Sequence, residues 1–230
     1  SLTMIFPKKD IVPDTTSGGL DTVAVRMPDN EDTLNLIKMC GVPLAAPSAN
    51  LSGSPSPTTA QHVYADMNGR IPLIIDGGEC KNGVESTVIC FTDGGTGIKV
   101  LRPGVITAEM LSRFAKTETD KNVFAKPDEN EKVISPGVKY KHYSPRADIT
   151  IIETDSDEKL AEFLNSKNDG GTYGVIFGGE KGIEVPTISY GSTAQEQAHN
   201  LFAVLRKTDE LGAKRAYVRC PEKTGVGTAV

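Results

Sequence analysis

Residues 147–177 read ADITIIETDSDEKLAEFLNSKNDGGTYGVIF. Short β-prone runs alternate here with a stretch of helical periodicity, and the alternation continues further along the chain. It predicts, in chain order, a strand, a helix, a strand, a longer helix and a strand over residues 149–153, 157–166, 173–177, 193–211 and 216–220. Strands and helices in succession form βα units on a mostly parallel sheet. This part of the chain is therefore predicted to be a small Rossmann-like α/β domain.

The preceding part has a different pattern, typical of an α+β arrangement in which a twisted sheet is packed against helices. A β-prone run over residues 22–27 is followed by a predicted helix that Asp29 or Asn30 caps and that ends at Cys40. A second helix is predicted from Thr58 to near Gly69, with Thr58 and Gln61 at capping-box spacing. Three more strands are predicted over residues 72–76, 86–91 and 98–102.

Composition divides the chain into three segments. Residues 118–146 are polar at first and then rich in proline, glycine and aromatic residues, which is typical of an interdomain linker. We therefore predict a first domain over 1–117, a linker over 118–146 and an accessory domain over 147–230.

The overall composition excludes several classes of protein. The 230 residues are 38% hydrophobic and 24% charged, as in globular proteins, and no apolar run is long enough for a membrane span. The net charge of −5 argues against broad electrostatic binding of nucleic acid. Four widely separated cysteines without a C-x-x-C pair favour reduced thiols in a cytosolic protein over a zinc site or disulfides.

A polar loop of eleven residues, 47–57, follows an apolar run. Its hydroxyls and the Asn50 amide offer uncharged donors and acceptors, and the helix that follows presents an N-terminus that favours anions. Two interpretations are open. The loop wraps phosphate or ribose oxygens, or it is a solvent-exposed linker that ends in a helix cap, which composition alone favours.

Two arginines end β-prone runs, and a proline follows each closely. Arg26 precedes Met27-Pro28 and Arg102 precedes Pro103. Ligand sites collect at strand ends, where a guanidinium binds carboxylate or phosphate with two parallel hydrogen bonds. Both arginines could equally be exposed strand-end residues without a ligand. Ser86, at the start of another predicted strand, either points its hydroxyl into the same cleft or simply packs.

The end of the linker places two tyrosines, a histidine and two lysines within residues 139–143. Such a segment is suited to close over a nucleotide, and equally suited to pack between two domains. His62 is predicted to be a surface or cap residue rather than a catalytic base, since it has no acidic or nucleophilic partner nearby in the sequence.

Five of these stretches, in this order, resemble the motifs of the YrdC-type threonylcarbamoyl-AMP synthases in their longer, two-domain form. The resemblance covers residues 2–146, and the predicted Rossmann-like domain fits the additional domain of that form. The stretches are GLDTVAVR at 19–26, APSANLSG at 46–53, GVESTV at 83–88, LRPG at 101–104 and SPGVKYKHY at 135–143.

The resemblance implies a nucleotidyltransferase that condenses L-threonine, bicarbonate and ATP into L-threonylcarbamoyl-AMP and pyrophosphate, for modification of adenosine 37 in tRNA. It implies Mg²⁺ bound mainly by the triphosphate, a downstream tRNA threonylcarbamoyl transferase machinery, weak tRNA binding, no membrane association and a cytoplasmic location. The implied L-threonine site comprises Arg26, Ala46 and Ser86. The implied ATP site comprises Thr22, Ser48, Asn50, Ser56, Arg102, Tyr140, His142 and Tyr143. We expect no catalytic side chain and no protein ligand to metal, because such transfers depend chiefly on positioning and charge neutralisation.

The sequence departs from the family pattern at both ends. The family's domain begins before Leu2, with a Lys-x-Arg motif and strands that this sequence lacks, and residues 225–230 look like the start of a helix. We therefore expect a truncated chain that is inactive, or nearly so, by itself. A rival hypothesis is an RNA-binding, translation-associated module, against which the near-neutral and acidic segments argue.

Overall fold

The computed structural model describes residues 2–123 and 144–230. These residues form two compact units that interleave along the chain. One unit holds residues 2–47 and 85–123, and the other holds residues 48–84 and 144–228. The helices and strands, in chain order, are β1 (Leu2–Pro7), α1 (Asp14–Ser17), β2 (Thr22–Arg26), α2 (Glu31–Cys40), α3 (Ala60–Met67), β3 (Thr87–Thr92), β4 (Gly97–Arg102), α4 (Ala108–Leu111), β5 (Lys116–Thr119), β6 (Asp148–Ile152), α5 (Asp157–Ser166), β7 (Thr172–Ile176), β8 (Thr187–Ser189), α6 (Ala194–Glu210) and β9 (Arg215–Arg219).

The first unit is built on a mixed sheet in which the strands lie in the order β2-β1-β3-β4-β5. β1 is antiparallel to β2 and parallel to β3, while β3 and β4 are antiparallel and β4 and β5 parallel. One face of β3 and β4 buries an aliphatic cluster that α4 covers, formed by Ile89, Ile98, Val100 and Leu111. This core fixes the central strands, at whose ends the candidate site lies.

The second unit contains a parallel sheet in the order β6-β9-β7-β8. Two apolar clusters pack in this unit, one around Val175, Tyr190 and Ala216 and the other around Leu160 and Leu164. Thr193 caps α6 in a capping box with Glu196. The predicted fold class is confirmed: the first sheet is mixed, and the C-terminal strands form a parallel, Rossmann-like sheet.

The helix predicted to end at Cys40 forms as expected. Asn30 is its N-cap and accepts a hydrogen bond from the Thr33 backbone N–H, at 2.8 Å. Gly41 ends it with a φ of +67°, a conformation that glycine adopts without steric cost.

Two local predictions were wrong. α3 is capped by Thr59, which accepts from the His62 N–H, whereas Thr58 is buried and its own N–H donates to His62 Nδ1. Residues 72–76 form no strand, and their Leu73 and Ile75 are 71% and 68% exposed. An apolar run becomes a strand only where a neighbour completes its hydrogen-bonded ladder, and none of the described strands pairs with this run.

Within residues 2–123 and 144–230, no helix is long and apolar enough to cross a membrane.

Candidate functional site

One row of residues crosses four neighbouring strands at one end of the first sheet. Arg26 on β2 faces Thr3 on β1, Thr3 faces Val88 on β3, and Val88 faces Arg102 on β4. Facing residues on paired strands point to the same side of a sheet, as do residues two apart on one strand. Ser86, two residues before Val88, is thereby brought next to Thr3, and their hydroxyl oxygens lie 2.8 Å apart. The register therefore places two strand-end arginines and two hydroxyls at one end of the sheet.

Arg102 fixes the orientation of Ser86. Its Nη2 donates to the Ser86 hydroxyl and its Nε to the Ser86 carbonyl, both at 3.1 Å. The same Nη2 lies 3.4 Å from a carboxylate oxygen of Glu85. Ser86 is only 6% exposed. Because the arginine can only donate, the Ser86 hydroxyl oxygen acts as acceptor towards it.

Thr87 locks the segment after Arg102 against the start of β3. Its buried hydroxyl donates to the Ile106 carbonyl at 2.8 Å and accepts from the Ile106 N–H at 3.1 Å. Gly104 lies so close that a Cβ added there would stand 2.4 Å from the Thr87 nitrogen. Residues 85–87 and 102–106 are thus held together within the first unit.

The polar loop of the second unit is folded around the side chain of Asn50. The Asn50 amide donates to the Leu51 and Ser54 carbonyls at 2.8 and 3.0 Å, and its Oδ1 accepts from the Ser48 hydroxyl. Ala49 has a φ of +56°, a conformation that non-glycine residues adopt mainly in tight turns and at functional sites.

The end of the same loop is buried, since Ser56 is 7% exposed. The solvent-exposed linker that composition favoured is therefore wrong for this part of the loop.

Helix α6 holds that loop through Arg206. The guanidinium forms a two-point ion pair with Asp66 on α3, with N–O distances of 2.6 and 3.2 Å. It also donates to the carbonyls of Pro55 and Ser56, at 2.6 and 3.3 Å.

Gly83 attaches a second segment to α6. Its N–H donates to the Ala198 carbonyl at 2.8 Å, and its carbonyl accepts from the Phe202 N–H at 3.3 Å. His199 Nδ1 lies 2.9 Å from the Lys81 carbonyl beside it. A Cβ on Gly83 would stand 2.0 Å from the His199 carbonyl oxygen, so only glycine fits this approach.

His62 is expected to make the second unit sensitive to mild acid. Burial lowers the pKa of His62 below its ordinary value of 6.5, and the charge of Arg206 lowers it further. The folded state thus favours the neutral ring, whose Nδ1 accepts from the Thr58 N–H at 3.2 Å. The stability that the neutral His62 ring contributes to the folded state is complete above pH 6.5. It is lost as the pH falls through the lowered pKa of the folded state.

Urea unfolding measured from about pH 7.5 down to about pH 5.5 tests this expectation. The His62→Gln variant keeps an acceptor but does not titrate, so part of the decrease in unfolding free energy should disappear. His199→Gln is the matched control, and its unfolding free energy should decrease with falling pH as that of the wild-type protein does. Identical pH dependence in the wild-type protein and in His62→Gln would contradict the assignment.

The predicted site residues fall in both units. Arg26, Ser86 and Arg102 lie at the same end of the first sheet, where Arg102 contacts Ser86 and Arg26 lies two strands away from it. Thr22 lies about 13 Å from Arg26 at the other end of β2. Ala46 is an exposed residue of the same unit. Ser48, Asn50 and Ser56 lie in the second unit. Tyr140, His142 and Tyr143 fall outside the residues that the structure describes.

Sequence reasoning missed three residues: Thr3, Asp66 and Arg206. Each acts through a partner far away in the chain, 83 residues for Thr3 with Ser86 and 140 for Asp66 with Arg206. No local pattern distinguishes them from ordinary strand and helix residues.

Comparison with known proteins matches the whole chain to two family models. Residues 1–104 match the family described as "Telomere recombination", and residues 106–230 match "Threonylcarbamoyl-AMP synthase, C-terminal domain". The threonylcarbamoyl-AMP synthases of Pyrococcus abyssi and Bacillus subtilis are each 41% identical to the chain, over 235 and 239 residues. Both alignments cover 100% of this chain and 67% of the relative.

The fold agrees with a solved relative. The crystal structure of P. abyssi Sua5 complexed with L-threonine superimposes with a TM-score of 0.85 at 40% identity, covering 99% of this chain and 67% of that one. The chain thus spans about two thirds of the length of these relatives.

Proposed function

Because the chain belongs to the threonylcarbamoyl-AMP synthase family, we propose that the end of the first sheet around Ser86 binds L-threonine and that residues 48–57 bind ATP. As a member of this family it is a nucleotidyltransferase that acts in tRNA modification. The rival hypothesis of an RNA-binding module is not favoured. The observation that carries the proposal is the register that places Arg26, Thr3 and Arg102 at one end of the sheet, with Thr3 and Arg102 bonded to the Ser86 hydroxyl.

The side chains at this end of the sheet are suited to bind a free amino acid. Arg26 is exposed at the end of an edge strand, so its guanidinium is accessible to a carboxylate. Ser86 is oriented by Arg102 and Thr3, which leaves its position fixed before a ligand arrives. That the P. abyssi relative has been solved in complex with L-threonine supports this ligand. In the proposal, the Ala46 backbone completes the threonine site.

The chemistry of residues 48–57 suits a nucleotide. The hydroxyls of this loop can bind phosphate and ribose oxygens, while the Asn50 amide bonds within the loop and gives it its shape. The Asp66 carboxylate, which accepts from the Leu51 N–H, is paired with Arg206. In the proposal Thr22, Arg102, Tyr140, His142 and Tyr143 add further contacts. Among the described residues, no group of three or more His, Cys, Asp or Glu could hold a metal ion. In the proposal, Mg²⁺ is bound mainly by the triphosphate, where it would neutralise charge during the transfer.

In the proposed reaction, the threonine amine takes up bicarbonate to form a carbamate with loss of water. A carbamate oxygen then attacks the α-phosphorus of ATP, and the bond to the departing pyrophosphate breaks. The task of the protein is to align the carbamate and the phosphate, and fixed hydrogen-bond donors suit that task. Bicarbonate as co-substrate, weak tRNA binding, the downstream tRNA-modifying machinery and a cytoplasmic location stay predictions.

The proposal is tested by replacing Arg26 with alanine. We expect L-threonine affinity to fall about tenfold to a hundredfold, since a charge-assisted hydrogen bond contributes about 1.5–3 kcal/mol. Calorimetric titration with L-threonine, and separately with ATP, measures the effect. Because Arg26 is exposed, the melting temperature should hardly change.

The matched control is Arg113→Ala, which removes an exposed arginine from the same unit away from the row. It should bind L-threonine as the wild-type protein does. Wild-type affinity in Arg26→Ala would exclude Arg26 from the threonine site.

A further inference from the structure

The C-terminal helix α6 contacts the loop that we assign to ATP, and it does so through one side chain. We propose that Arg206 is a positioning residue for ATP, because its guanidinium holds residues 48–57 in the conformation that binds the nucleotide. This inference rests on the proposed function of that loop. It gives the Rossmann-like part of the chain a role in nucleotide binding, exerted through the loop.

The contacts of Arg206 reach both the loop and the helix that follows it. Nη2 donates to the Pro55 carbonyl and Nε to the Ser56 carbonyl. Nη1 and Nη2 each donate to one carboxylate oxygen of Asp66. The side chains of Arg206 and Asp66 are both 11% exposed, so water screens this pair little.

The end of the loop has few backbone donors of its own that could satisfy the Pro55 and Ser56 carbonyls. Pro55 and Pro57 lack an N–H, so this stretch can join neither a helix nor a sheet ladder. Buried carbonyls nevertheless require a partner. The planar guanidinium fork has donors at fixed angles, so it can bond two successive carbonyls and a carboxylate together, which a lysine ammonium cannot do in the same geometry.

A second path runs from Arg206 to Asn50. Asp66 Oδ2, held by Arg206, also accepts from the Leu51 N–H at 3.3 Å. The Leu51 carbonyl in turn accepts from the Asn50 amide at 2.8 Å. Arg206 thus fixes the end of the loop directly and its beginning through Asp66. A buried ion pair adds little net stability, so its main effect here is on geometry.

The test compares ATP and L-threonine affinities of the full chain carrying Arg206→Gln. We expect ATP affinity to fall about tenfold to a hundredfold, as when one or two hydrogen bonds to a charged ligand are lost. L-threonine affinity should stay unchanged, a split that general destabilisation would not produce. Arg206→Lys, which keeps the charge but loses the fork, should recover only part of the ATP affinity. Arg215→Gln, which breaks the exposed pair with Asp169, is the matched control and should behave as wild type.

Wild-type ATP affinity in Arg206→Gln overturns the inference. If Asn50→Ala still weakens ATP binding in that case, the loop remains the ATP site and only the positioning role fails. If Asn50→Ala also binds ATP normally, the proposed function of the loop fails and the inference fails with it. Should Arg206→Gln not fold, Asp66→Asn removes the opposing charge with little change of shape. It should show the same ATP-selective loss, and equal losses for both ligands would overturn the inference.

Discussion

Gly83→Ala is expected to destabilise the second unit by about 3 kcal/mol, the upper end of what overpacking of a close contact costs. The added Cβ would stand 2.0 Å from the His199 carbonyl oxygen and 2.8 Å from its carbon. Both atoms belong to the backbone of α6, so neither can move aside as a flexible side chain would. The clash is relieved only if residues 79–84 move away from α6. That movement breaks both hydrogen bonds that Gly83 makes with Ala198 and Phe202.

Urea unfolding of the wild-type protein and the variant measures this effect as a lower midpoint. Gly77→Ala is the matched control, because nothing lies within 4 Å of its added Cβ and its φ is not in the left-handed region. It should unfold at the wild-type midpoint. A wild-type midpoint in Gly83→Ala would show that the segment does not approach α6 as closely as described.

Arg102→Ala is expected to lower L-threonine affinity about a hundredfold and the free energy of unfolding by about 3 kcal/mol. The arginine donates to both oxygens of Ser86 and pairs with Glu85, and its side chain is only 16% exposed. Without it, the largely buried Glu85 carboxylate loses a cation and the Ser86 hydroxyl loses the donor that orients it. The affinity loss should lie at the upper end of the range expected for Arg26→Ala because the site itself is then rearranged.

Calorimetric titrations with L-threonine and with ATP, together with thermal unfolding, test the Arg102 prediction. Arg102→Lys keeps the charge but cannot bond both Ser86 oxygens, so it should restore stability more than affinity. The exposed Arg113 again gives the control substitution. A loss of stability with unchanged binding of both L-threonine and ATP would limit Arg102 to a structural role.

The sequence predicted those parts of the fold that local periodicity determines. Strands and helices of the C-terminal sheet, and α2 with its Asn30 cap and Gly41 terminator, follow from hydrophobic spacing and capping chemistry. The strand predicted over residues 72–76 failed because an apolar run carries no information about whether a neighbouring strand pairs with it. The cap of α3 was misplaced by one residue because Thr58 and Thr59 have the same side chain.

The candidate site was predictable where it depends on strand ends. Arg26 and Arg102 each lie at the end of a β-prone run, and the register of four strands then brings them to the same end of the sheet. Thr3 and Arg206 were not predictable, since only the tertiary fold brings Thr3 to Ser86 and Arg206 to Asp66.

The interleaving of the two units bears on any attempt to dissect the protein genetically. The family models meet between residues 104 and 106, yet residues 48–84 pack in one unit with residues 144–228. A gene split at that junction would express Arg206 and Gly83 on separate polypeptides. The isolated C-terminal product would carry a buried cation without its carboxylate, and would tend to aggregate. Complementation in trans, with both halves co-expressed, is therefore the sounder way to ask what each half contributes.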